Sequence, residues 1–411
     1  VRPLLAVGAR LQGSQLSVQA LTRLCSVYVF LLASWADTDR LPAVALQGAL
    51  LAVPYTLLEA LVGRPLSAGL VPADWHVESW AGRVAAATLA PVAVLGYLCA
   101  TVALPDTGAA DRLFLLAPVL LQLPLEAFFW ATAGTRTPRR ANLVPQLTAV
   151  GTLLGGAVFV ALDLRVDVVA VPAQVAVLAW VLLRRPAAAP TAVRPGLRRG
   201  LGVGSVYCVA AAVDLSYTVT LPSVAGAVAG PAAVVVLRAM DLVFGPFHVV
   251  LSASVREDVV AGRRGRWRTG TRALTVAALV AVSAVVLASG PLRALVAPDL
   301  ATVGVGVIAL YCGYKALLTA ATWLSTRHMV WAAPRRYLVS AVGSRVLAFG
   351  GLAASALWVT GVAGLVGQLL VAEAVVVCWF LARMRPWTAD EPVAEPARDR
   401  AAVPTGGGAG P

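Results

Sequence analysis

Charged side chains are scarce in this chain, at 13% of 411 residues, where a soluble domain carries roughly 25%. With 59% hydrophobic residues, that deficit argues against an ordinary water-soluble domain and points to lipid as the solvent. Lysine is almost missing: every basic residue except Lys315 is arginine. The five cysteines (Cys25, Cys99, Cys208, Cys312, Cys378) sit inside apolar runs without CxxC or Cys/His ligand spacing. Neither a disulfide framework nor a zinc site is expected from them, and they read as small packing residues. A Walker lysine loop, HExxH and GxSxG are all missing, and His76, His248 and His328 lie far apart. The chain is therefore read as a non-enzyme with no cofactor. Its net charge of +13 is not a nucleic-acid footprint, because the arginines fall in short blocks between apolar runs.

What is present is a succession of apolar runs of about 20 residues, the length that crosses a bilayer. They fall near 14–34, 40–63, 81–103, 112–133, 142–162 and 166–183, then near 200–222, 229–254, 272–290, 301–324, 336–358 and 361–382. The fold class read from them is all-α, a polytopic membrane protein of about twelve spans. The first run is long enough to be a retained helix and lacks a convincing cleavage site.

Arginine placement orients the spans, since cytoplasmic loops retain positive charge. With the N-terminus inside, Arg64 and Arg83, then Arg136, Arg139 and Arg140, fall in inside loops. So do the basic blocks at 184–199, 256–272 and 327–336 and the arginines of the tail. Outside loops hold only Arg40, Arg112, Arg165 and Arg293, several accompanied by acids such as Asp37, Asp111 and Asp167. This alternation places both termini in the cytoplasm of a cell whose inner membrane holds the protein.

The segment 184–199 (RRPAAAPTAVRPGLRR) is a Pro- and Arg-rich linker that divides the spans six and six. The expected domains are an N-terminal lobe 1–183, that linker, a C-terminal lobe 200–383 and a disordered tail 384–411. Pro54 and Arg64 in one half match Pro246 and Arg256 in the other at equal offset. With an even number of helices in each half, the two six-helix bundles would share a pseudo-two-fold along the membrane normal.

Ionisable groups inside spans are costly, about 2.5–3.5 kcal/mol at a helix centre, and usually face a cavity or a partner. The cations are Arg23, Arg238, Lys315 and Arg345; the acids are Glu59, Glu126, Asp214, Asp241 and Glu373. One reading makes them structural ion pairs or snorkelling groups, which suits Glu59 and Glu126 near the inside ends. The other has them line a polar cavity: the four cations would bind an anionic substrate, and Asp214, Asp241 and Glu373 would take a coupling ion. Arg238 and Asp241 share a helix face three residues apart. Pro54, Pro91, Pro118, Pro124, Pro172 and Pro246 lie within spans, and Gly226 and Gly230 in or beside the turn between spans 7 and 8. These breakers permit bends, and Gly151 with Gly155 reads as close helix packing.

The stretch 210–264, with Asp214, Gly230, Arg238, Pro246 and Arg256 in sequence, resembles the polysaccharide (Wzx-like) flippases of the multidrug/oligosaccharidyl-lipid/polysaccharide (MOP) exporter superfamily. The resemblance implies a transporter that flips a polyprenyl-diphosphate-linked oligosaccharide across the cytoplasmic membrane by alternating access, for cell-surface polysaccharide synthesis. Its partners would be membrane lipids, the anionic lipid-linked sugar, H+ or Na+, and a polysaccharide polymerase or glycosyltransferases. A cation-coupled multidrug antiporter of the same superfamily is one alternative. A membrane glycosyltransferase acting through Asp37 or Asp39 is another. A major-facilitator plan is disfavoured, because its GxxxDRxGRR-like loop is missing from 64–83.

Overall fold

The computed structural model describes residues 15–67, 70–135, 138–183, 193–244, 277–296 apart from 279, 282 and 286, 298–331, 334–356 and 360–383. Among these residues the chain is helical and contains no strand, with one isolated bridge pairing Trp75 and Val193. Among the described residues seven helices are long and apolar enough to cross a membrane, including Val77–Ala103, Ala109–Ala133 and Gly361–Arg383. Shorter apolar stretches occur at Ala20–Ala36, Val219–Ala229 and Leu338–Ala353. These ten fall on spans 1–7 and 10–12. A helix at 231–244 opens span 8. The first five residues of span 9 and its positions 279, 282 and 286, the linker residues 184–192, Gly245, Pro246, Arg256 and the tail 384–411 lie outside the described residues.

Helix ends follow local chemistry. Span 3 begins at Val77, earlier than its apolar run, because His76 caps it: Nδ1 accepts from the Ser79 N–H at 3.1 Å. Span 2 is broken into Leu41–Leu50, Ala52–Leu58, a π-helical turn Glu59–Gly63 and Arg64–Ser67. Pro54 and Pro65 each remove an N–H from the ladder, and the wide turn lies between them. Pro172 sits in the first turn of the helix Val171–Leu183, where its missing N–H has no consequence, so it opens span 6 and does not bend it.

Span 7 differs most from its sequence reading. Its helix runs from Leu197 to Ala229, straight through Pro222, so Gly226 is helical and the turn comes later. Gly230 ends it with φ 81°, its N–H bonded to the Gly226 carbonyl at 3.0 Å, and Pro231 starts the next helix. A left-handed glycine followed by proline is a stop and a start in two residues.

The helix gains its extra length against the N-terminal half. A Cβ on Gly226 would lie 2.6 Å from the Ala103 carbonyl oxygen, and one on Gly204 2.8 Å from that of Leu61. Near its start, Trp80 Nε1 donates to the Gly200 carbonyl at 3.2 Å. The preceding chain is clipped to the 2–3 connection: Val193 N–H to Asp74 O at 2.8 Å, and His76 N–H to Val193 O at 2.9 Å. Arg83 Nη1 adds a bond to Pro195 O at 3.0 Å. Span 7 is thus seated on spans 2 and 3 along its length.

One core runs through both halves, drawing Phe30, Leu46, Trp80, Leu123, Met240 and Leu369 from six spans. A smaller cluster of Leu125, Val144, Val177 and Val181 joins spans 4, 5 and 6. Gly151 meets Ala173 of span 6, a Cβ there falling 2.8 Å from the alanine's own, so the small-residue motif serves close packing.

Candidate functional site

Three helices that start from the same end bring polar groups to one level. Gly48 lies seven residues beyond Leu41, Arg238 and Asp241 seven and ten beyond residue 231, and Lys315 ten beyond Val305. At 1.5 Å per residue these are depths of roughly 10–15 Å, the middle of a bilayer core. Lys315 Nζ bonds Asp241 Oδ1, and the same oxygen accepts the Tyr311 hydroxyl at 2.7 Å. The Tyr311 and Tyr314 rings both lie 5.1 Å from Nζ, close enough for their faces to attract the ammonium. Phe244 packs on Tyr311 with ring centroids 5.7 Å apart.

Arg238, one turn before Asp241, is 9% exposed and lies in electrostatic range of both Asp241 and Arg23 of span 1. Its guanidinium rests on Gly48 of span 2; a Cβ there would lie 2.6 Å from Nε. The cluster therefore joins spans 1 and 2 of one half to spans 8 and 10 of the other. It holds three cations: Arg238 and Lys315 act on Asp241, and Arg23 lies within range of Arg238. The exposure is uneven: the Asp241 side chain is 41% accessible and that of Lys315 only 7%. The acid faces open space and the lysine lies behind it.

The other expected residues sit differently. Arg345 Nη1 bonds Glu373 Oε1 at 2.8 Å between spans 11 and 12, with the glutamate side chain fully buried. Asp214 lies on the span 7 helix, but its side chain is outside the described ones. Toward the opposite end from Arg40 and Asp111, Glu59 meets Arg64 at 3.4 Å and Glu126 accepts from Gln122 at 2.9 Å.

A separate network ties together the 1–2, 3–4 and 5–6 connections at one end of the N-terminal half. Arg165 holds Asp111 at 2.6 Å and Asp167 at 2.7 Å, while Arg40 holds Asp37 and Asp111 at 3.4 Å. Gln47 donates to the carbonyls of Leu115 and Asp167, tying span 2 to the same place. Burial lifts the Asp37 carboxyl above its usual range and Arg40 opposes that. An apolar groove of 280 Å³ opens between Leu98, Cys99 and Val102 of span 3 and Thr220, Ser223 and Val224 of span 7. None of the cluster's cations lines it.

Gly48, Tyr311 and Tyr314 were not singled out from sequence. Tyr311 could have been, since an aromatic four residues before the one lysine shares its helix face. Gly48 carries no local signal, because its partner is 190 residues away.

The sequence matches no described protein family and no curated protein. Solved structures are similar over nearly the whole chain. An inward-facing multidrug resistance MATE family transporter of the MOP superfamily shares 16% identity, with TM-score 0.60 over 90% of this chain and 94% of that one. The lipid II flippase MurJ, in an inward closed conformation, shares 10% identity, with TM-score 0.63 over 89% and 86%. An outward-facing MATE transporter shares 18%, with TM-score 0.54 over 91% and 94%. At such identities the likeness is one of fold. This chain is a multi-pass membrane protein with the fold shared by the MATE transporters of the MOP superfamily and the lipid II flippase MurJ.

Proposed function

We propose that the protein is a flippase passing a polyprenyl-diphosphate-linked oligosaccharide across the cytoplasmic membrane by alternating access, for cell-surface polysaccharide synthesis. The observation that supports this most is the charge balance of the mid-membrane cluster: Arg238 and Lys315 flank Asp241, Arg23 lies within range of Arg238, and Asp241 is its one acid among the described side chains. Uncompensated cations in a lipid solvent are expensive unless an anion visits them. A diphosphate supplies two negative charges and several acceptor oxygens, which guanidinium and ammonium groups bind well. Because the cluster takes residues from both halves, rocking one half against the other would carry the anion from one side to the other. Arg345 is assigned to the far edge of this path.

An H+ or Na+ gradient would act through Asp214, Asp241 and Glu373, of which the last two already hold a basic side chain. Both termini are assigned to the cytoplasm on arginine placement, and a polymerase or glycosyltransferases would be the functional partners. A cation-coupled multidrug antiporter is the second reading, favoured by the fold likeness to MATE transporters. It expects acids to dominate the central space, which the cluster does not supply. For the glycosyltransferase alternative, Asp37 is engaged with Arg40, an arrangement suited to holding the outer end together.

Native mass spectrometry of the purified protein tests the proposal. Wild type should retain a polyprenyl-diphosphate lipid that the Arg238→Ala, Lys315→Ala double variant loses. Bulk phospholipid alone on both forms would reject it.

A further inference from the structure

We infer that Asp241 is the internal counter-anion of Lys315, a specificity-determining residue that the cargo's phosphate must displace before it can bind. The inference rests on the flippase reading and deepens it.

Two independent observations carry it. The first is geometric. Lys315 is bonded to Asp241 and nearly closed off at 7% exposure, whereas the Asp241 side chain is 41% accessible. An anion arriving from the open space meets the carboxylate first and reaches the ammonium only by taking its place. Tyr311, whose hydroxyl is 2.7 Å from the same carboxylate oxygen, gives Asp241 a second hold. The tyrosine rings remain against the ammonium whichever anion is bound.

The second observation is compositional. Lys315 is the sole lysine among 33 basic residues. A guanidinium beside a carboxylate offers a two-pronged planar match that holds its partner in one geometry. An ammonium is a compact point charge with rotatable donors, and exchanging one oxygen for another costs it little alignment. The chain uses arginine at every other basic position and lysine at the one where a carboxylate sits between a buried cation and open space.

The exchange has consequences for cargo choice and release. A neutral or singly charged head group gains too little to displace a carboxylate held by Lys315 and Tyr311 and drawn toward Arg238. A diphosphate brings two charges to three cations and can do so. On release Asp241 returns, so the emptied site is never left with a bare ammonium. A ligand can shift the arrangement only by its differential affinity for the two states, and Asp241 sets that difference.

Full-length protein labelled at lysine Nζ and placed in nanodiscs gives one side-chain ammonium NMR signal, that of Lys315. Farnesyl diphosphate is the probe and farnesol the neutral control, with occupancy read by native mass spectrometry. The diphosphate should move the Lys315 signal and farnesol should not. Asp241→Asn should bind farnesyl diphosphate about tenfold more tightly and show a displaced Lys315 signal before any ligand is added. If farnesyl diphosphate occupies the wild-type protein while the Lys315 signal stays put, the inference fails and the flippase reading survives. Should it occupy neither wild type nor variant, both fail. Because the wild-type titration needs no substitution, an Asp241→Asn protein that does not fold leaves the decision intact.

Discussion

Among the described residues of the second half, two cation–carboxylate pairs between helices are built in opposite senses. In Lys315–Asp241 the cation is buried and the acid side chain is 41% accessible. In Arg345–Glu373 the acid is fully buried and the arginine is 17% accessible. The first pair joins spans 8 and 10 beside Arg238 and Arg23, at the contact between the two halves. The second stays between consecutive spans 11 and 12. A buried carboxylate gripped by arginine behaves as a fastener, and a coupling ion reaches it only past the arginine. A carboxylate on the open side of a buried lysine is placed to exchange. Sign and count of charges do not separate the two; which partner faces the open space does.

The largest effect should come from breaking the fastener. Glu373→Ala removes a buried partner of Arg345 and should cost about 3–5 kcal/mol of stability, read as a large drop in melting temperature of the purified protein. Asp241→Ala should cost less, since the carboxylate removed is 41% accessible and an incoming anion can take its place beside Lys315. Equal losses would erase the contrast.

Gly48→Ala should come next. The added methyl displaces the Arg238 guanidinium, the far end of a flexible side chain, so melting should change by less than about 1 kcal/mol while farnesyl diphosphate binding weakens about tenfold. Smaller again is Lys315→Arg, which keeps the charge but tightens the grip on Asp241. Transport of a lipid-linked substrate should slow by about fivefold with little change in melting. Smallest is Arg40→Ala in the same network as Asp111, which should lower melting only slightly, because its partners Asp37 and Asp111 lie 3.4 Å away and stay partly accessible. That difference should shrink in about 1 M salt, where the screening length is short.

The helical membrane fold was readable because its determinants are one-dimensional: run length sets each span and arginine alternation orders them. The span 7 boundary was misplaced because Pro222 and Gly226 look like a turn on their own. Only the seat against Ala103 makes the helix continue past them. The candidate site was half readable. Ionisable residues inside apolar runs stand out, so Arg23, Arg238, Asp241 and Lys315 could be named. Their partners could not, because Asp241 and Lys315 are 74 positions apart and nothing local distinguishes their pairing from that of Arg345 with Glu373. Gly48 was invisible for the same reason. The network around Asp111 was also hidden, since Arg165 and Asp111 meet across 54 residues.

The seating of span 7 fixes where this molecule can part. Gly204 and Gly226 accept backbone carbonyls of the first half at contact distance near opposite ends of the helix, and the chain before it is stitched to the 2–3 connection. Such a surface works like the spine of a book: it tolerates a change of angle and resists separation. On the facing side, Arg23 and Arg238 bring like charges together across the two halves. The covers, in that picture, fall open at the arginines, so whatever enters between them passes a cation on each cover.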